Sequence, residues 1–188
     1  MGHSQAEKAR NRERIVAEAA RQIRRDGLES VSVGPLMASV GLTHGGFYGH
    51  FENREALLAE ALERAIAEGQ AKAGASLSRT APRFPAIVRG YLSRTHRDAR
   101  DSGCAIAALG ADVARAAEGP RQLMGDQIES FIETAQEALG GDEDRAMLAV
   151  SAMVGALTLS RVMKGPRSDA ILKAVRAQLE ALEADERA

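Results

Sequence analysis

The residues with the clearest chemistry fall between Ser32 and Arg54. Thr43 can offer its hydroxyl and backbone amide to a phosphate at a helix start, where exposed amides and the helix dipole favour an anion. Ser32 stands in the same relation to the helix before it. Tyr48 and His50 can donate to further phosphates, and Arg54 can add a charged contact where the next helix opens. His44 and Gly45 occupy positions where a side chain, or close backbone approach, meets base edges. Taken singly, each residue also reads as a cap or a solvated polar position. Their joint placement points to DNA contact.

Those residues need elements to hold them. Ser32 can cap a short helix with Val33 to Val40 as its body, and Leu36, Met37 and Val40 share a buried stripe. Gly41 supplies the left-handed residue of a tight turn. Thr43 then caps a second short helix whose Phe47 and Phe51 lie four apart on one face. Two short helices about a glycine turn make a helix-turn-helix, whose second helix enters the major groove. Ahead of it, a helix from about Ala6 to Asp26 carries Ile15, Ala19 and Ile23 inward and ends at Gly27. Within residues 1–25, seven basic side chains stand against three acidic ones. They form either an arm that tracks phosphates or a solvated helix face.

The run Gly41-Leu42-Thr43-His44-Gly45-Gly46-Phe47-Tyr48-Gly49-His50-Phe51, followed by Asn53-Arg54-Glu55-Ala56-Leu57, resembles the signature of TetR-family transcriptional regulators. The resemblance is specific over about residues 10–60 and architectural beyond them. Gly46 and Gly49 depart from the family pattern, where bulkier residues are common. Each costs a helix interior roughly 1 kcal/mol relative to Ala, so a recognition helix that DNA must order is expected. The resemblance implies an all-α fold of about nine helices, with a three-helix head and a C-terminal bundle. It divides the chain into a DNA-binding domain, 1–53, and a ligand-binding and dimerisation domain, 54–188, joined by the helix at 54–77.

Composition agrees with that class. The chain of 188 residues is 45% hydrophobic and 3% aromatic, with no Trp and a formal net charge of −1. Helix formers dominate and β-branched runs are absent, so an all-α chain is expected. By inspection no apolar stretch is read as approaching the roughly 20 residues of a membrane span and no leader is read at the start; a cytoplasmic protein without a membrane partner is expected. The single cysteine excludes an internal disulfide framework and a Cys-based zinc site. Four histidines lack ligand spacing, so neither a metal nor a cofactor is expected.

After a break at Arg79 to Pro85, the C-terminal segments read as helices at about 84–97, 104–116, 120–139, 143–164 and 168–183, separated by Gly and Pro. Inward positions on these helices supply candidate effector-pocket residues: Phe84, Ile87, Tyr91, Cys104, Met124, Ile128 and Phe131. Their stripes lack charge, which suggests an apolar effector. In the resembling family the last two helices pair between subunits as a four-helix bundle. The matching positions here are Val150, Val154, Leu157, Arg161, Leu172, Val175 and Leu179, although the same helices can instead close the protomer's own core.

These expectations combine into a homodimeric, ligand-responsive repressor that binds a near-palindromic operator. Cys104 opens a second possibility, because a helix N-terminus can lower a thiol pKa and make an electrophile or redox sensor; a lone Cys is more often an inert buried hydrophobe. His96, eight residues earlier, does not form a nucleophile–base signature with it. Two other classes remain, a small helical enzyme and a protein-interaction module. The first lacks any set of catalytic residues, and the second predicts no effect of Tyr48→Ala.

Overall fold

Helix α1 covers Gln5–Asp26 and buries Ile15, Val16, Ala19, Ala20 and Ile23 along one face, the spacing that the sequence shows. In the computed structural model of the chain, residues 5–76 and 84–184 are described. Gly27, at φ 92°, ends α1 and opens a short 3-10 turn at Leu28–Ser30. Helix α2, Val33–Ser39, buries Leu36 and Met37. Gly41 follows at φ 71°, the left-handed conformation the turn requires.

The second short element, His44–Gly49, is a 3-10 helix rather than the α-helix expected. Gly45, Gly46 and Gly49 give it little α-propensity. It is held from beneath by Phe47, which is buried and stacks on Phe51 with ring centroids 5.5 Å apart. Asn53 then caps α3, Arg54–Ser76, its side chain accepting the Ala56 amide at 2.7 Å.

Beyond residues 77–83, which include most of the expected Pro-containing break and Leu77 of the expected connecting helix, the chain continues as α4, Phe84–Tyr91. The single helix expected over 84–97 is two. Ser93 caps α5, Arg94–Asp98, by accepting the His96 amide at 3.1 Å, and this starts a new helix axis. There follow α6, Ala105–Val113; α7, Glu118–Ala138; α8, Glu143–Val162; and α9, Pro166–Ala184. The described residues thus hold nine α-helices, two 3-10 helices and no strand.

Two cores organise these helices. The first joins α1, α2 and the 3-10 helix to Leu57, Ala61, Leu62 and Ala65 of α3, then runs on to Ile106, Leu109 and Val113 of α6. Packing therefore continues past residue 53, and α6 belongs to the core of the DNA-binding head. The second core joins α4, the C-terminal half of α7, α8 and α9. Phe131 and Val154 touch both.

The second core corrects the expected dimer residues. Val150, Leu157, Leu172 and Leu179 are buried inside the protomer, because α8 and α9 pack on each other and on α4 and α7 along that seam. Val154 and Val175 are half-buried beside it, and Arg161 turns toward α5. The outer face instead carries exposed Leu148, Leu159 and Val162 on α8, with Ala170, Ala174 and Ala177 exposed on α9. Over an 18-residue window α8 has a mean hydropathy of 1.3, enough by length and composition to cross a membrane and contrary to the expectation from the sequence. Much of that hydropathy is core, supplied by Ala146, Ala149, Val150, Met153, Ala156 and Leu157.

The helix junctions are tied by arginines. Arg24, buried in α1, donates to the Asp101 carbonyl at 2.7 Å, the Ala65 carbonyl at 3.1 Å and the Glu68 carboxylate at 2.7 Å. Arg64 donates to the other Glu68 oxygen at 2.7 Å. Burial opposes ionisation of Glu68, but the hydrogen bonds from Arg24 and Arg64 outweigh it and hold the carboxyl below its ordinary value of 4.5. A depressed carboxyl stabilises the fold above the unfolded-state pKa and loses that contribution as pH falls through the folded-state pKa. Glu68→Gln is therefore expected to lower Tm at neutral pH. The gap to wild type should close as acid titrations of Tm descend below about pH 4.5.

Candidate nucleic-acid interface

The contact arc is built at the end of the molecule formed by α2, the Gly41 turn and the 3-10 helix. Ser32, Thr43, His44, Gly45 and Tyr48 are all exposed there, Tyr48 to 67%. An exposed aromatic of this size beside buried Phe47, ring centroids 5.3 Å apart, is fixed in place yet open to a partner. His44 lies edge-on to Tyr48 at 6.4 Å. Neither Ser32 nor Thr43 caps its helix through its side chain, which differs from the capping expected and leaves both hydroxyls directed to other uses. His50 is half-buried at the end of the arc.

Arg54, expected to add a charged contact here, is half-buried and engaged by acceptors of its own protomer. Its Nε donates to the Val31 carbonyl at 2.9 Å, and Nη2 donates to the Leu28 carbonyl at 3.2 Å and to Glu29 at 3.0 Å. Arg54 thus straps the segment before α2 to the start of α3 and sets the angle at which α2 stands. The basic arm is likewise partly structural. Arg12 pairs with Glu60 and lies 4.7 Å over the Phe51 ring, Arg14 donates to the Val40 carbonyl, and Arg24 is buried. Lys8 and Arg10 are exposed.

The expected effector residues divide between core and junction. Phe84, Ile87 and Met124 are buried and fill the two cores, so they are packing residues. Tyr91, Cys104, Ile128 and Phe131 are half-buried where the cores meet. The Tyr91 ring lies 5.3 Å from that of Phe131 and 4.7 Å from that of His96. This junction is more polar than the sequence stripes suggested. Arg161, expected at a dimer contact, donates from Nε to the Arg97 carbonyl at 3.1 Å and from Nη2 to the His96 carbonyl at 3.2 Å. His96 and Arg161 were not legible as parts of this site, because their roles depend on the α4–α5 break. Two surface hollows occur among the described residues on α5, α8 and α9. One, of about 390 Å³, is lined by Arg97, Arg100, Arg161 and Asp169, and one of about 410 Å³ by Arg94, Leu172 and Arg176. Among the described residues no cluster of His, Cys, Asp and Glu could hold a metal ion.

A short helix, a glycine turn and an exposed second helix carrying Thr43, His44 and Tyr48 define a helix-turn-helix DNA-binding protein. Residues 15–61 match the family model of bacterial regulatory proteins, tetR family. The fold is similar to a TetR transcriptional regulator from Chloroflexus aurantiacus, with a TM-score of 0.78 and 22% identity over 93% of this chain and 94% of that one. It is similar to a TetR-family regulator from Cytophaga hutchinsonii, with a TM-score of 0.78 and 20% identity over 98% of each chain. It is also similar to the reduced form of Escherichia coli NemR, with a TM-score of 0.75 and 20% identity over 92% of this chain and 96% of that one. No curated protein matches the sequence. Residues 15–61 thus carry the sequence signature of the tetR-family DNA-binding head, within a fold shared with TetR-family regulators.

Arg54→Ala removes a charged donor from three acceptors. It is expected to cost about 1–3 kcal/mol of stability, read as a lower denaturation midpoint with unchanged m-value. A phosphate contact alone would leave stability at the wild-type level.

Proposed function

We propose that the protein is a homodimeric repressor that binds a near-palindromic operator and is released by a small-molecule effector in the cytoplasm. The observation that carries DNA reading is the exposed arc Thr43–Tyr48, held over buried Phe47 and Phe51. Thr43 and Ser32 offer donors to phosphates, while His44 and Gly45 face the bases. Tyr48 and His50 extend the phosphate contacts. Arg54 acts indirectly, by holding α2 at its angle.

Two heads are needed to read a palindrome. The support for a dimer is the outer face of α8 and α9. Leu148, Leu159 and Val162 expose more apolar surface than a solvated helix needs, and the small exposed residues Ala170, Ala174 and Ala177 permit close approach of a second helix pair. Leu159→Glu is expected to shift the protein toward monomer in sedimentation without altering its helical signal. An unchanged sedimentation profile would move the contact elsewhere.

The effector is proposed to enter at the half-buried junction of Tyr91, Cys104, Ile128 and Phe131. Release follows if it favours a separation of the heads that mismatches successive major grooves. The reading is tested by titrating the protein against a labelled duplex from upstream of its gene, beside a scrambled duplex, at several salt concentrations. A preference of 10³-fold or more marks specific recognition. Tyr48→Ala should weaken the specific complex about tenfold or more while melting like wild type. Equal binding to both duplexes, or a Tyr48→Ala protein that binds as wild type does, overturns the reading.

A further inference from the structure

The hollow of about 390 Å³ lies where α5, the end of α8 and the start of α9 meet, and its charged residues are Arg97, Arg100, Arg161, Asp98 and Asp169. The two carboxylates are already taken. Asp169 accepts from Arg97 Nη1 at 2.7 Å and from Arg94 Nε at 3.0 Å. Asp98 accepts from Arg97 Nε at 2.7 Å and, through its other oxygen, from Nη2 at 3.2 Å. Hydrogen bonds from Arg97 and then Arg94 hold the Asp169 carboxyl below its ordinary value, and those from Arg97 do the same for Asp98. Two carboxylates and the two guanidinium groups of Arg94 and Arg97 thus answer one another.

Arg100 and Arg161 are left over. Arg161 is half-buried and donates to backbone alone, from Nε to the Arg97 carbonyl at 3.1 Å and from Nη2 to the His96 carbonyl at 3.2 Å. Arg100 is exposed and donates from Nη2 to the Arg161 carbonyl at 2.8 Å. Neither makes an ion pair among the described residues. Asp98 feels the Arg100 charge, but both of its oxygens are held by Arg97. The turn between α8 and α9 supplies no acid, and its Lys164 and Arg167 are exposed cations.

Carbonyl contacts fix these two guanidinium groups without cancelling their charge. Capping the end of α8 accounts for a donor at Arg100, but not for two full charges beside one hollow. A half-buried cation without a counter-charge is unfavourable. Burial, with Arg100 adding to it, pulls the Arg161 pKa below its ordinary value against the opposite influence of Cys104 and Tyr91. The walls are also tied together. Buried Ser168 donates to the Ser160 carbonyl at 2.6 Å and accepts from Arg97 at 3.0 Å, which joins α9, α8 and α5. Behind them Gly103 packs on the guanidinium: a Cβ there would lie 2.9 Å from Arg161 Nη2 and 2.6 Å from the Ala99 carbonyl oxygen.

We propose that this hollow binds a small organic phosphate monoester, with the phosphate held by Arg100 and Arg161. The chemistry selects that class. Two unanswered positive charges call for a dianion, and a phosphate monoester carries nearly two negative charges at neutral pH with three acceptor oxygens. A carboxylate or a sulfate ester brings only one. The planar guanidinium fork matches phosphate oxygens, and its charge persists at every working pH. The hollow exceeds one phosphate group and falls in the range of about 300–1,000 Å³ that small-molecule sites occupy, so an organic body enters with the phosphate. None of its lining residues belongs to the Thr43–Tyr48 arc or to the junction of Tyr91, Cys104, Ile128 and Phe131. The site therefore stands beside the regulator reading and does not depend on it.

Phenyl phosphate is the probe, with phenyl sulfate as its singly charged counterpart. Both are titrated calorimetrically into the full chain in low-salt buffer free of phosphate. One phenyl phosphate should bind per protomer, about tenfold or more tighter than phenyl sulfate, as the loss of a charge-assisted contact implies. Inorganic phosphate, which lacks the organic body, should also bind more weakly. Arg100→Ala, at an exposed side chain, should weaken the complex about tenfold or more while melting like wild type. Arg100→Lys, which keeps the charge without the fork, should recover part of that loss. Arg121→Ala, at an exposed arginine of α7, should bind as wild type does. Absence of saturable binding, equal affinity for phenyl sulfate, or an Arg100→Ala protein with wild-type affinity overturns the phosphate site. Equal affinity for inorganic phosphate overturns the organic body. If wild type binds no phenyl phosphate and Arg100→Ala shifts the protein toward monomer in sedimentation, the two charges answer carboxylates of a second copy, and the proposal fails.

Discussion

A single buried guanidinium sets the geometry of this molecule. Arg24 rises from the last turn of α1 and binds the Ala65 carbonyl, the Glu68 carboxylate and the Asp101 carbonyl, which belong to α3 and to the loop before α6. An arginine here must find acceptors, because a buried unpaired charge is strongly unfavourable. Meeting that demand brings three separate segments to one point. The head cannot tilt against α3 without breaking at least one of these bonds. Arg64 and Glu68 extend the junction along α3, and Arg54 repeats the device at the helix's start.

The same constraint explains why α6 belongs with the head. Its N-terminus follows the Asp101–Gly103 loop held by Arg24, and its apolar face completes the first core. Asp112 then reaches the turn before α2. A helix held at both ends by head contacts is suited to carry a displacement from the junction of the cores to the DNA-facing arc. Phe131 and Val154, which touch both cores, offer the second half of the protomer no looser connection.

Much of the head was legible from sequence because its signals are local. Gly41 at positive φ, Asn53 capping α3, and Phe47 and Phe51 on one buried face all follow from residue type and spacing within a few positions. The 3-10 form of His44–Gly49 was less legible: three glycines weaken an α-helix, but packing decides what replaces it. The C-terminal half was harder for a different reason. Helix α8 is apolar almost all round, so periodicity cannot tell its core face from its outer face. Val150 and Leu157, expected at a dimer seam or in the protomer's own core, lie in that core, while the exposed apolar face is carried by Leu148 and Leu159, which the spacing did not single out. The roles of Arg54, His96 and Arg161 depend on backbone carbonyls brought near by tertiary structure, and no sequence spacing encodes those.

The central claim is that the arc from Leu42 to Phe51 is the surface that meets DNA. Backbone hydrogen exchange of the full chain, with and without an upstream duplex it binds, tests this most directly. Slowed exchange concentrated over Leu42–Phe51 and the start of α2 is the expected result, with α8 and α9 little changed. Slowed exchange elsewhere on the chain, with that arc exchanging as it does without DNA, would contradict it.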